Sequence, residues 1–310
     1  MRLATGQRPI NGLCLVGKNS FMKGPMRIVA HRQFQHAGNL VWPFGSPDPR
    51  DIAFSEGELE LDLRKCEFIL PAAVLWCAVY PLLCRSKGSK CRLLVPENEG
   101  VCIYLKSLGL FETLQANGVE VDDRDIVKGL GAQIVVPLTR FDRESEAEEL
   151  ANQANDTLTK LAIGAANLRP LVSEAFAELA MNAVQHAESG IGASGLVQFY
   201  ESMRGQRFVC AVADGGIGIR RSLEKNPEIR SRVPYDWVAI ELAMRERVSG
   251  TGDSRRGIGL YGVAEDMRVG DRQLIIHSGI GSLQTNEDLQ TRARRTRLFP
   301  GTLAFASIPT

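Results

Sequence analysis

Two cores of different construction are predicted for this chain of 310 residues: an α/β unit in the first half and an α+β two-layer sandwich in the second. Three observations carry that expectation. The length suits two domains at roughly 150 residues each. Between Glu58 and Leu108 the apolar pattern switches between strand and helix periods in the order strand, helix, strand, helix, as in a parallel-sheet unit. Beyond residue 145 two long helical patterns are followed by paired short strands, which points to helices laid on an antiparallel sheet. Composition agrees with globular structure: 44% apolar, 24% charged and a mean hydropathy of −0.09 argue against long disorder, collagen or a coiled coil. Lys plus Arg is 37 and Asp plus Glu 36, a formal charge of +1, so no global field points to nucleic acid or an anionic membrane as partner.

Taken in order, residues 1–50 show no sustained period and contain turn clusters such as Gly45-Ser46-Pro47-Asp48-Pro49, so they are expected to form an irregular N-terminal extension. The α/β domain is expected over 51–138. It opens with Glu58-Leu59-Glu60-Leu61-Asp62-Leu63, whose alternation is that of a half-buried strand. An apolar helix over 71–87 follows, with Pro71 suited to its first turn. Next come the short strand Cys91–Val95, ended by Pro96, and a helix with Val101, Tyr104, Leu105 and Leu108 on one face. The acidic stretch 142–149 leads into the second domain, 139–310, with the boundary placed at 138–145. There the pattern predicts helices over 145–163 and 170–188, strands near 195–202 and 207–213, and a helix around 235–248. A short helix from 259 and strands near 272–277 and 301–308 complete it.

Phe68 to Cys84 carries no charge over 17 residues, the lower limit for a membrane span, but Pro71 and Pro81 interrupt it. It reads as a buried strand end plus a buried helix. Seven cysteines, an odd number with no C-x-x-C pair, together with the lack of a signal-peptide pattern, point to a reduced, cytoplasmic protein. Cys77 and Cys84, a heptad apart in the apolar helix, read as core.

Three stretches could carry chemistry. On the helix 170–188, Glu178, Asn182 and His186 stand four residues apart, off the apolar stripe of Phe176, Leu179, Ala180 and Ala183. A carboxylate one turn from a carboxamide can hold a water and a hard cation, although such a row is also what a solvated face looks like. The apolar strand Phe208–Ala213 runs into Asp214-Gly215-Gly216-Ile217-Gly218. A carboxylate at a strand end can accept from an exocyclic amine while glycines admit a planar ligand; an ordinary glycine turn is the plain alternative. Arg255-Arg256-Gly257-Ile258-Gly259-Leu260-Tyr261-Gly262 matches the dinucleotide fingerprint in form only, because a polar loop rather than a strand precedes it. Glycines opening a helix beside two arginines still suit phosphate. Arg292, Arg294, Arg295 and Arg297 read as an exposed loop or strand of a neutral protein.

The order of these motifs, E-x-x-x-N, then D-x-G-x-G, then a polar loop into R-G-x-G-L, then Gly301-Thr302 at the expected start of the last strand, resembles the GHKL (Bergerat-fold) ATPases over about 145–310. The resemblance implies ATP and Mg²⁺ as cofactors. It implies Asn182 as the magnesium ligand, Asp214 as acceptor of the adenine amino group, Gly216 and Gly218 as the close approach to the base, and Thr302 as support beside Asp214. Gly257 and Gly259, with Arg255 or Arg256 adding charge, would meet the phosphates beneath a lid of about 220–256. Glu178 falls where some members carry a general base. Residues 52–125 resemble, more weakly, the STAS-like fold of anti-sigma antagonists. Where phosphorylatable STAS proteins have Asp-Ser-Ser-Gly this chain has Leu70-Pro71-Ala72-Ala73, which puts phosphorylation there in doubt. Together the resemblances imply an anti-sigma-kinase-like regulator. It would bind ATP, turn it over slowly or transfer phosphate to serine or threonine of a protein partner, and could act as a homodimer. The competing expectation is a non-catalytic switch in which ATP only closes the lid.

Overall fold

A computed structural model describes residues 15–16, 26–30, 32–34, 57–122, 133–160, 162, 165–202, 205–245, 259–285 and 292–310. It is a mixed α/β protein with one largely parallel and one antiparallel sheet. The first sheet has the order β1-β2-β4-β6-β7, built from β1 (Leu15–Val16), β2 (Met26–Val29), β4 (Glu58–Asp62), β6 (Lys90–Leu94) and β7 (Glu120–Asp122). All neighbours are parallel except β1 and β2. A separate pair joins β3 (Gln33–Phe34) to β5 (Phe68–Ile69). The first fifty residues are therefore more than an irregular extension, since β2 lies beside β4 within the sheet.

The alternation in β4 does what its period dictates. Leu59 and Leu61 enter the core, while Glu60 and Asp62 share Arg27 of β2 on the other face, at 2.6 and 2.9 Å. Asp62 also accepts from the backbone and side chain of Arg64. Burial works to raise the Asp62 pKa, but the Arg64 hydrogen bonds and the charges of Arg64 and Arg27 outweigh it and hold the carboxyl below its usual 3.8.

Three helices follow the parallel strands: α1 (Pro71–Ser86), α2 (Glu99–Leu108) and α3 (Leu110–Ala116). Asn98 caps α2 by accepting from Val101 N at 3.0 Å. Helix α1 is buried at every residue from Pro71 to Cys84, which a helix apolar all round requires. It packs against β4 and β6 on one side. On the other it meets the second sheet, made of β8 (Gln133–Phe141), β9 (Ala193–Ser202), β10 (Gly205–Asp214), β11 (Gln273–Gln284) and β12 (Arg292–Pro309). The order there is β11-β12-β10-β9-β8, antiparallel throughout. Among the described residues no helix is long and apolar enough to cross a membrane.

Helices α4 (Glu144–Lys160) and α5 (Leu168–His186) cover the opposite face of this sheet. Strand β10 shows why its sequence is continuously apolar: Phe208, Cys210 and Val212 point to the α4–α5 side, and Val209, Ala211 and Ala213 to the α1 side. In the second half, helices thus lie on one face of the antiparallel sheet, and α1 of the first half covers the other. The change of sheet comes earlier than 138–145: β8 straddles that position and pairs with β9, so the change falls between β7 and β8.

The remaining helices are α6 (Gly218–Leu223), α7 (Pro227–Arg230), α8 (Asp236–Ala243) and α9 (Gly259–Asp266). Leu223, Ile229, Val233, Ala239 and Leu242 form a small core of their own. The part of the expected lid up to residue 245 thus holds three helices where the sequence suggested one. Residues 246–256 of that lid, with Arg255 and Arg256, lie outside the described residues, as does Gly257.

Two predictions follow from α1 and Asp62. Trp76, 1% exposed and stacked on Tyr80 at 4.8 Å, fills the shared core, so Trp76→Ala should cost about 3 to 5 kcal/mol. Urea unfolding followed by circular dichroism should remain a single transition; two separate transitions would show that the sheets do not share a core. For Asp62, whose folded pKa lies below 3.8, the stabilisation is full above that value and is lost as pH falls through the folded pKa. The stability gap between wild type and Asp62→Asn should therefore close on acidification below pH 4, measured by denaturant midpoints; a gap constant with pH would contradict the ion-pair origin.

Candidate functional site

Helix α5 buries Val172, Ala175, Phe176, Leu179 and Ala180 against the sheet, and this turns Glu178, Asn182 and His186 toward its flank. Asn182 Nδ2 donates to the Glu178 carbonyl at 2.7 Å, which fixes the carboxamide with its oxygen as the outward atom. Glu178 is exposed along the helix, yet its carboxylate abuts the backbone of Gly259 at the start of α9, and a Cβ at residue 259 would overlap Oε2. Desolvation in that crowded position raises the Glu178 pKa above its usual 4.5.

The C-terminal end of α5 meets the loop after β10. Ala187 O accepts from Ile217 N at 2.8 Å, and a Cβ on Gly216 would overlap that same carbonyl. The immediate neighbour that requires glycine at position 216 is the end of α5. Asp214, 3% exposed, ends β10. Its Oδ1 accepts from Gly216 N at 2.8 Å, an Asx-type turn, and from Thr302 N at 3.3 Å.

Strand register explains why Asp214 and Thr302 meet. Ala213 pairs with Leu303, and Ser278 with Thr302, so the end of β10 and the middles of β11 and β12 bring positions 214, 278 and 302 together. Thr302 lies in the middle of β12, which starts at Arg292, well before the strand expected near 301–308. Ser278, 2% exposed, is the residue that sequence reasoning missed. Its hydroxyl accepts from Ile219 N at 2.9 Å and lies 3.1 Å from both Gly301 O and Thr302 Oγ1. It ties the start of α6, where Gly218 takes φ +77°, to β11 and β12. A serine between His277 and Gly279 carries no motif, so no sequence signal marked it.

On the far side of α6, Asp236 accepts from Ile280 N at 2.8 Å, and Arg220 donates to Glu224 and to Val233 O. The first bond seats α8 against β11, and the Arg220 bond to Val233 ties α6 to the segment before α8.

The structure thus brings Glu178 to Gly259, and Gly216, Gly218, Asp214 and Thr302 to one loop and strand end, with Asn182 between the two groups along α5. At about 1.5 Å per residue, Glu178 and Ala187 are roughly 13 Å apart on the helix axis, comparable with an extended nucleoside triphosphate. No cluster of three His, Cys, Asp or Glu that could hold a metal occurs among the described residues. A cation at Asn182 would draw its other ligands from a phosphate group and water, a shell that suits magnesium. The chain matches no protein-family model, and no curated protein shows significant similarity to it.

The two crowded glycines should respond differently to alanine. Gly216→Ala forces a methyl into a main-chain carbonyl and should destabilise by about 2 kcal/mol or more, whereas Gly259→Ala meets only the mobile end of a side chain and should cost less than about 1 kcal/mol. Thermal unfolding of the two variants checks this; equal losses would contradict the packing of the Asp214 loop on α5.

Proposed function

We propose that this protein is a GHKL-type regulator that binds ATP with Mg²⁺ along α5 and uses it slowly, by hydrolysis or by transfer to a hydroxyl of a protein partner. The observation that carries the reading is the convergence of segments far apart in sequence: α5, the loop after β10, the start of α9 and the middle of β12. The weaker STAS-like character of the first half fits an anti-sigma-kinase-like role.

Each residue has a part that its chemistry allows. Asp214 is a buried, backbone-held carboxylate able to accept from the adenine amino group. Asn182 offers a hard oxygen to magnesium, and the N–H groups that open α9 would meet the phosphate end. Bound Mg·ATP would supply an electrophilic γ-phosphate. Glu178 would take the proton of the attacking hydroxyl, and its raised proton affinity suits it to that task. Raised proton affinity at this position also favours the enzymatic reading over a switch without chemistry.

Glu178→Gln should leave nucleotide affinity within a few-fold and reduce turnover by roughly 10²- to 10⁴-fold. Because the base must be ionised, wild-type turnover should rise with pH through a midpoint above 4.5, and that rise should vanish in the variant. Asn182→Ala should weaken Mg-nucleotide binding itself. Wild type and Glu178→Gln turning over equally, with and without candidate partner proteins, would leave only the ATP-gated switch.

A further inference from the structure

We propose that the cleft at the seam between the two sheets is a binding site for a small phosphate-bearing dianion, separate from the α5 site. The cleft is open to solvent, has a volume of about 350 Å³ and is formed by the last turns of α1 (Leu82, Arg85), the end of α3 (Asn117), the end of β8 (Arg140) and the loop after α5 (Gly190, Ile191). Its two arginines come from opposite sides of the seam. Both are held through Nε by a main-chain carbonyl: Arg85 donates to Asn117 O at 2.9 Å and Arg140 donates to Ile191 O. Gly118 lets the Arg85 guanidinium lie against the backbone, where a Cβ would displace it.

With Nε occupied, the terminal nitrogens are the donors left to each fork, already oriented, the arrangement that favours a planar or tetrahedral oxyanion over a point charge. Among the described residues Asp142 is the acid beside this pair, its carboxylate 3.8 Å from Arg140, and no carboxylate lines the cleft. Carbonyls at the end of α1 would oppose an anion, but they are engaged. Leu83 O accepts from Ser86 Oγ, Cys84 O from Lys87 N and Ser89 N, and Arg85 O from Gly88 N. Two fixed positive charges in a cavity of this size match a phosphate monoester or pyrophosphate. Ile191 lines the cleft and also packs on Gly215 beside Asp214, so the two sites share a wall.

Arginine-selective modification by phenylglyoxal, read by mass spectrometry on the full chain, tests this without a variant. Pyrophosphate at about ten times its dissociation constant should slow modification of Arg85 and Arg140 by about tenfold, as site occupancy dictates, with no effect at exposed Arg32 and Arg245. Chloride at equal ionic strength should protect neither. Arg85→Gln and Arg140→Gln should each weaken pyrophosphate binding at the remaining arginine by about tenfold. Equal protection by chloride and pyrophosphate, or protection of all four arginines alike, would overturn the proposal; so would undiminished affinity in both variants.

Discussion

Helix α1 has no face it can show to water. From Pro71 to Cys84 every residue is buried, and covering it takes a sheet on each side. Much of the arrangement follows from that requirement. The parallel strands supply one cover with Leu59, Leu61 and Leu93, and the antiparallel strands supply the other with Val209, Ala211 and Phe305. The two halves of the chain are thereby fused through one apolar core, and Tyr104 on α2 adds a polar tie, its hydroxyl 3.1 Å from Gln198 of β9.

The same constraint places the candidate site. With α1 on one face of the antiparallel sheet, α4 and α5 take the other, and the loop after β10 is held between α1 and the end of α5: Gly215 packs on Leu83, and Gly216 on Ala187. Asp214 is fixed by main-chain donors from its own loop and from β12, while Ser278 locks the start of α6 to the same strand end. A rigid acceptor at one end of α5 and a desolvated carboxylate near its middle divide the helix flank into two chemically distinct stations.

Much of this was legible in the sequence where periodicity or a chemical run had one physical solution. Glu58–Leu63 read as a half-buried strand, the uncharged run to Cys84 as a buried strand end plus a buried helix once Pro71 and Pro81 interrupted it, and the 3.6-residue spacing of Phe176, Leu179 and Ala180 left Glu178 and Asn182 together on a flank. What periodicity cannot say is which surface covers a face. The second cover over β10 was invisible for that reason, as was the pairing of β8, whose Pro137 blurs the strand signal. Glycine marks a close approach without naming what approaches, so Gly216 was read toward a ligand when its immediate neighbour is the Ala187 carbonyl. Ser278 acts through three bonds that only the strand register creates.

Recognition of adenine by Asp214 is the central claim, and a calorimetric titration of the wild-type chain with ATP and with GTP in the presence of Mg²⁺ tests it most directly. A buried acceptor-only carboxylate pairs with the amino group of adenine and opposes the carbonyl oxygen that guanine presents at the same ring position. ATP should therefore bind at least about tenfold more tightly than GTP, a difference of about 1.4 kcal/mol. Equal affinities for the two nucleotides, or no binding of either, would contradict it.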